Sequence, residues 1–312
     1  MSTKPEPDEK CAPTKKYQDG SCFTYESLKK IAESYNTRNN DKIDTSLNKE
    51  ALVQTLENKL SNKCSEQTCW LRLDFVKEMD NKEIESNTFR PPGPSKKYEW
   101  LSTTHINEVV EQYQEKYKDF LFFGAVPYDF EDLPVLGMHN INFDNLKKEN
   151  KTKIGVVINL DEHYKDGSHW VALYADLNKF QVYFFDSIGK RPYKRIRKFI
   201  NKITKYMYHQ KFGEKLLIND VIEKFKKIKG LPEDKATKFI ESNSYLKNLL
   251  GGGFDIRYNH IQHQFNNSEC GVYSINFITR LVEGETFDDI ITNITKDEAM
   301  NQNRKVYFRN VN

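Results

Sequence analysis

The chain alternates between two hydrophobic periods, and the places where the period changes outline its organisation. Near the N-terminus, Tyr25, Leu28, Ile31, Ala32 and Tyr35 recur at helical spacing, followed by Leu52, Val53, Leu56 and Leu60. These patterns predict two amphipathic helices, and Trp70 to Val76 predict a third. Arg90-Pro91-Pro92-Gly93-Pro94 breaks the pattern and reads as a linker. Beyond it Ile106, Val109, Val110, Tyr113 and Tyr117 form another helix face. The period then shortens to that of strands over Phe120–Val126, Ile154–Leu160, His169–Ala175 and Phe180–Phe185, with Phe254–Tyr258 as a candidate fifth. Helical spacing returns in Ile196, Phe199, Ile200, Ile203 and Met207, and again in Val272, Ile275, Ile278, Thr279 and Val282. The expected architecture is α+β with a mixed, mainly antiparallel sheet, preceded by a small helical domain. The expected boundaries are a flexible lead-in over 1–20, the helical domain over 21–90, a linker over 91–97 and the larger domain over 98–312. That larger domain carries an insertion over 190–253.

Two of the strands bring chemistry together. The runs ending at Ala175 and starting at Phe180 are separated by Asp176-Leu177-Asn178-Lys179, a loop of turn formers, so they read as a hairpin. If Ala175 faces Phe180, facing residues have numbers adding to 355, and His169 faces Asp186. A slip of one residue would send the two to opposite faces. Placed together, the carboxylate accepts from one imidazole nitrogen and leaves the other free to activate a nucleophile. The candidate nucleophile is Cys270, at the start of the helical pattern of 272–282. Unpaired N–H groups and the helix dipole favour a thiolate there. Gly271 leaves room beside the sulfur, and Gln264, six residues upstream, can return an amide donor to the same place. Taken alone, Cys270 reads first as a buried small hydrophobe. His163, His260 and His263 compete with His169 as the base, but none has an acidic partner set by a hairpin. Glu269 adjoins the nucleophile and is expected to point away. Trp170 reads as core.

His169-Trp170, Asp186-Ser187 and Gln264-x5-Cys270-Gly271-x-Tyr273, in that order, resemble the cysteine proteases that include adenain, the SUMO-specific proteases and the capsid-polyprotein proteases of large DNA viruses. Trp100-Leu101-Ser102 is similar to the N-terminal signature of that family, and the resemblance spans roughly 100–282. It implies a papain-like core with Cys270 as nucleophile, His169 as base, Asp186 as its orienting acid and Gln264 in the oxyanion hole. Trp170 would cover a narrow cleft. Substrates would be proteins cut after Gly, in Gly-Gly or Gly-x-Gly sites, with neither metal nor cofactor required. Two departures stand out: the 190–253 insertion and the added N-terminal domain. Together with the Lys/Asn/Ile-rich composition they favour a viral structural-polyprotein protease over a deSUMOylating or deubiquitinating enzyme. An acetyltransferase on the same Cys-His pair and a catalytically dead binding module are the rivals from other classes.

Composition narrows the picture further. The 312 residues are 38% hydrophobic with 20 Phe and 17 Tyr, sufficient for a core, while a mean hydropathy of −0.77 predicts a heavily charged surface. No stretch has the apolar length of a membrane span, and no signal-peptide core precedes the first helix. Five cysteines, one at the candidate site, point to a reducing compartment, the host cytoplasm and virion if the protein is viral. Cys11, Cys22, Cys64 and Cys69 lack zinc-ligand spacing and read as packing residues. Charges over 1–90 nearly cancel, 15 basic against 16 acidic. Between Lys190 and Lys229, by contrast, 14 Lys/Arg meet three acids, a local net of +11. That stretch reads as the solvated face of a helix, with nucleic acid as the alternative partner, since some members of the resembled family use it as a cofactor.

Overall fold

The computed structural model describes residues 10–79, 82–212 and 253–310, without the side chains of residues 82, 83 and 85. Of the sequence expectations, the first nine residues of the lead-in and 213–252 of the insertion, with Gly251 and Gly252, lie outside the described residues. The chain divides into two compact units, residues 1–117 with 298–312, and residues 118–297.

The first unit is helical. Thr24 caps α1 (Tyr25–Arg38) by accepting from the Ser27 amide, and Asn48 caps α2 (Lys49–Leu60) by accepting from Ala51. Leu28, Ile31, Leu52 and Leu56, all fully buried, face a shared core in which Phe23 stacks on Trp70 at 5.7 Å and meets Phe89 edge-on at 5.2 Å. The third predicted helix is two separate turns, α3 (Gln67–Trp70) and α4 (Asp74–Lys77), followed by α5 (Lys82–Asn87). Ser102 and His105 form a reciprocal capping box at the start of α6 (Thr103–Lys116). The Pro-rich 91–97 stretch is not a free linker. Arg309 donates its N–H to the Pro91 carbonyl and its guanidinium to the Arg90 carbonyl, and Pro92 bridges Arg309. The division of the chain accordingly falls after α6, and residues 298–312 return to the first unit.

Four cysteines expected to be unpaired packing residues form disulfides, Cys11–Cys22 and Cys64–Cys69. Each closes a short loop in a small core, where cross-linking restricts the unfolded chain. Cys270 is the free cysteine among the described residues.

The second unit is built on a five-stranded sheet in sequential order, β1 (Phe120–Val126), β2 (Lys153–Asn159), β3 (Trp170–Asp176), β4 (Gln181–Phe185) and β5 (Asp255–Tyr258). β1 and β2 are parallel, as are β4 and β5, while β2–β3 and β3–β4 are antiparallel, so the two orientations are evenly represented. Every residue of β3 is buried, as expected of a central strand covered on both faces. One face packs Val156, Val171, Leu173 and Phe184 against Ile196, Phe199, Ile203 and Met207 of α8 (Lys194–Phe212). The other packs against α9 (Cys270–Val282) and α10 (Phe287–Thr292), with Phe185 stacked on Phe277 at 4.8 Å and Tyr183 on Phe287 at 4.6 Å. α7 (Phe143–Lys148) precedes β2.

The hairpin register differs from the sequence expectation by one residue on each strand: Asp176 pairs with Gln181 and Ala175 with Val182. The cause is the turn. Asp176 Oδ1 accepts from the amides of Asn178 and Lys179, Leu177 donates to Thr152, and Phe180 takes a left-handed φ of 56°. A shift of one on both strands moves facing pairs by two in sum and therefore preserves which face each side chain occupies. His169 and Asp186 thus remain on one face as diagonal neighbours rather than a facing pair.

Gly155 in β2 supplies a test of how tightly the sheet and α9 are fitted. A Cβ there would lie 2.8 Å from the Phe120 ring and 3.1 Å from Ile278. Gly155→Ala is expected to destabilise the protein by about 1–3 kcal/mol, as overpacking of a close-packed core does, measured by denaturant unfolding.

Candidate active site

His169 lies one residue before β3 and Asp186 one residue after β4, so both leave the sheet at the same end. His169 Nε2 is 2.7 Å from Asp186 Oδ1, and the ring lies close enough to Cys270 for the two groups to interact electrostatically. With Nε2 engaged by Asp186, Nδ1 is the ring nitrogen left for a second partner. Cys270 is the first residue of α9 and is 2% exposed. Burial pulls the His169 pKa down. The hydrogen bond to Asp186 and the interactions with Cys270 and Asp186 outweigh it and push the value up to about 9. This shift favours the charged form of the ring beside Asp186.

Asp186 is wholly buried, and its position is set by a residue that the sequence pattern did not single out. Asn259 accepts from the Asp186 amide through Oδ1 at 2.8 Å and donates through Nδ2 to the Asp186 carbonyl at 2.8 Å. The side-chain amide thus pairs with the backbone of Asp186 as a neighbouring strand would. Asp186 Oδ1 also accepts from the Ile188 amide at 3.0 Å, and the Gly189 amide closes the turn onto the Asp186 carbonyl at 2.8 Å. Oδ2 is buried without a hydrogen-bond partner.

The next residue carries the arrangement across to Gln264. Ser187 donates its hydroxyl to Gln264 Oε1 at 2.6 Å, and its carbonyl accepts from the amides of His263 and Gln264, each at 2.8 Å. Gln264 Nε2 donates to the Asn266 carbonyl at 2.6 Å. With Oε1 occupied by a donor, the Gln264 amide is fixed in one orientation, and its NH2 retains one hydrogen beyond the bond to Asn266. Gln264 is 3% exposed, beside the loop that leads into α9. Trp170, buried at the start of β3, pairs with Asn159 of β2.

The competing histidines separate clearly. His163 does have a carboxylate partner, Asp129 at 2.6 Å, which the sequence did not reveal, but its side chain is half exposed and lies in the β2–β3 connection. His260 is exposed. His263 is buried against the rings of Phe185 and Tyr273, and burial lowers its pKa, so it stays neutral. Glu269, expected to point away from the site, is 1% exposed and accepts from the Ser268 hydroxyl at 3.0 Å.

A histidine bonded to a buried carboxylate and set beside a cysteine at the start of a helix is equipped for acyl transfer. Comparisons with known proteins agree. No family model matches the chain. A protein of Acanthamoeba polyphaga mimivirus named as a thiol protease is 34% identical over 312 residues, covering 94% of this chain and 90% of the relative. The SUMO-1 cysteine protease of African swine fever virus is 21% identical over 280 residues, covering 83% of this chain and 88% of that one. The crystal structure of the African swine fever virus protease shares the fold, with a TM-score of 0.58 at 20% identity over 98% of this chain and 97% of that one. Similarity of this degree over almost the whole mimivirus relative shows that the chain is a cysteine-type peptidase and belongs to the SUMO-protease-like family of large DNA viruses.

Proposed function

We propose that the chain hydrolyses a viral structural polyprotein after glycine, with Cys270 as nucleophile, His169 as acid and base, and Asp186 as the residue that orients and stabilises the imidazolium. The observation that carries this reading is the bond of His169 Nε2 to the buried Asp186 at 2.7 Å, with the ring interacting electrostatically with Cys270 at the start of α9. The Cys270 thiolate attacks the scissile carbonyl and forms a C–S bond, while the carbonyl oxygen takes up the negative charge. The Cys270 amide and the remaining Gln264 Nε2 hydrogen stabilise that charge. Collapse of the intermediate breaks the C–N bond, and His169 delivers its proton to the departing amine. Water, deprotonated by the now neutral His169, then attacks the thioester, releases the carboxylate product and restores the thiolate–imidazolium pair.

The glycine requirement rests on the narrow cleft that the family resemblance implies beneath Trp170. The polyprotein assignment is supported by the viral origin of the relatives, one of which carries the name SUMO-1 cysteine protease. None of the described helices is long and apolar enough to cross a membrane. Host cytoplasm and virion remain the proposed location, although the two N-terminal disulfides weigh against the cysteine-based argument for it.

For the basic segment we favour a solvated face over a nucleic-acid site. In its described part, Arg195 pairs with Asp132, Lys198 lies 3.4 Å from Glu131, and Lys202 donates to the carbonyls of Met138 and His139. Several of the cations are therefore committed to the unit's own surface.

Three outcomes test these assignments. In a peptide-cleavage assay Cys270→Ala and His169→Ala are expected to lose activity by orders of magnitude, and Asp186→Asn to lose less, because an amide still orients the ring but does not stabilise its charge. Cys11→Ser, Cys22→Ser, Cys64→Ser and Cys69→Ser should each keep activity, and a Cys270→Ala enzyme of near wild-type rate would contradict the nucleophile. Replacing the scissile Gly by Ala should lower kcat/KM about 10- to 100-fold, the effect of about 1–3 kcal/mol of overpacking, and equal cleavage of both peptides would contradict the narrow cleft. Duplex DNA should show no binding that falls steeply between about 50 and 200 mM salt, and a salt-sensitive gel shift would favour the nucleic-acid reading.

A further inference from the structure

The loop between Gln264 and Cys270 is open to solvent, with Phe265 73% exposed and Asn266 exposed beside it. Solvent-facing loops of this kind ordinarily sample several conformations, whereas an oxyanion donor must be held still. Beneath the loop lies Asp297, 9% exposed, at the first residue of α11 (Asp297–Gln302). Its Oδ2 accepts from the amides of Phe265 and Asn266, both at 2.9 Å. Its Oδ1 is 3.3 Å from the hydroxyl of Tyr273, which donates at 2.7 Å to the Thr295 carbonyl and lies 3.1 Å from the carbonyl of His263.

Asn266 is thereby held at both ends. Its N–H is fixed by the Asp297 carboxylate, and its C=O receives Gln264 Nε2 at 2.6 Å. If the carboxylate is removed, the amides of Phe265 and Asn266 lose their anchor, and Asn266, whose carbonyl aims the Gln264 amide, is no longer held in place. Two charge-assisted bonds from consecutive amides hold it more strongly than neutral ones. Tyr273, three residues into α9 from Cys270, ties the same cluster to the helix that carries the nucleophile.

We propose that Asp297 is a positioning residue for the oxyanion hole, acting on the reaction through Asn266 and Gln264 rather than by touching substrate. The proposal rests on the hydrolase reading above. It places a functional carboxylate 27 residues beyond the nucleophile, outside the Gln264–Tyr273 motif.

A double-mutant cycle tests it, using the full chain, a fluorogenic peptide cut after Gly, and a thermal melt of every variant. Gln264→Ala is expected to lower kcat about 100-fold, the usual effect of losing one oxyanion donor. Asp297→Ala is expected to lower kcat about 10-fold with KM changed less than about twofold, and Asp297→Asn, which keeps an acceptor, to recover most of the loss. In the Gln264→Ala background, Asp297→Ala should change kcat less than about twofold, because the group it positions is gone. If Asp297→Ala is unfolded at the assay temperature, the cycle is read with Asp297→Asn. An effect of about threefold is then expected with Gln264 present and none without it. Equal factors in both backgrounds, an effect confined to KM, or no effect on kcat would overturn the role of Asp297. Wild-type protein that leaves the peptide uncut would instead remove the hydrolase reading on which the proposal rests.

Discussion

A carboxylate with no solvent exposure is costly unless its surroundings supply hydrogen bonds and a compensating charge, and Asp186 sets the terms for everything around it. Its backbone is gripped by Asn259, one of its oxygens accepts from the Ile188 amide, and its charge is met by His169 at 2.7 Å. The same interaction that makes the carboxylate tolerable in the interior raises the pKa of the imidazole. Structural necessity and chemical preparation are here one bond. The strands serve it directly, because β3 delivers His169 and β4 delivers Asp186 to the same end of the sheet, and β5 brings Asn259 in behind them.

That arrangement also links the two halves of the site. Asp186 and Ser187 are consecutive, so the residue that fixes the histidine is covalently joined to the one that fixes Gln264. A displacement of the β4 end would move His169 and Gln264 together. Asp297 secures the far side of the Gln264 loop independently of the sheet. The cluster around Asp186, Gln264 and Cys270 thus has two anchors, one at the strand ends and one beneath the loop.

The parts of this picture that were legible in the sequence are those written in local periodicity. The five strands and α9 follow their hydrophobic patterns to within a residue or so at each end, because burial of one face leaves its mark on every second or every third and fourth position. The His169–Asp186 pairing survived an error in register, since the Asx turn at Asp176 moved both strands by one and kept the parity. What was not legible depends on long-range contact. Asn259 follows a short strand in an unremarkable stretch, and nothing local marks it as the partner of a residue 73 positions earlier. Asp297 and the His163–Asp129 pair are hidden for the same reason. The cysteine pairs were misread because irregular spacing excludes a zinc framework without indicating which residues the helices bring together. The Pro-rich stretch looked like a linker because its tie to Arg309 spans the length of the chain.

NMR titration of the His169 imidazole reads most directly whether Asp186 and Cys270 hold the ring in its charged form. Burial alone would lower the pKa, so a value near 9 arises from the two partners. Because the folded-state value exceeds the ordinary one of about 6.5, the stabilisation is complete below pH about 6.5 and is lost as the pH rises through 9. The account predicts a His169 midpoint near 9 in the wild-type protein, lower in Asp186→Asn and also lower in Cys270→Ala. A wild-type midpoint at or below the ordinary histidine value, unmoved by either substitution, would contradict it.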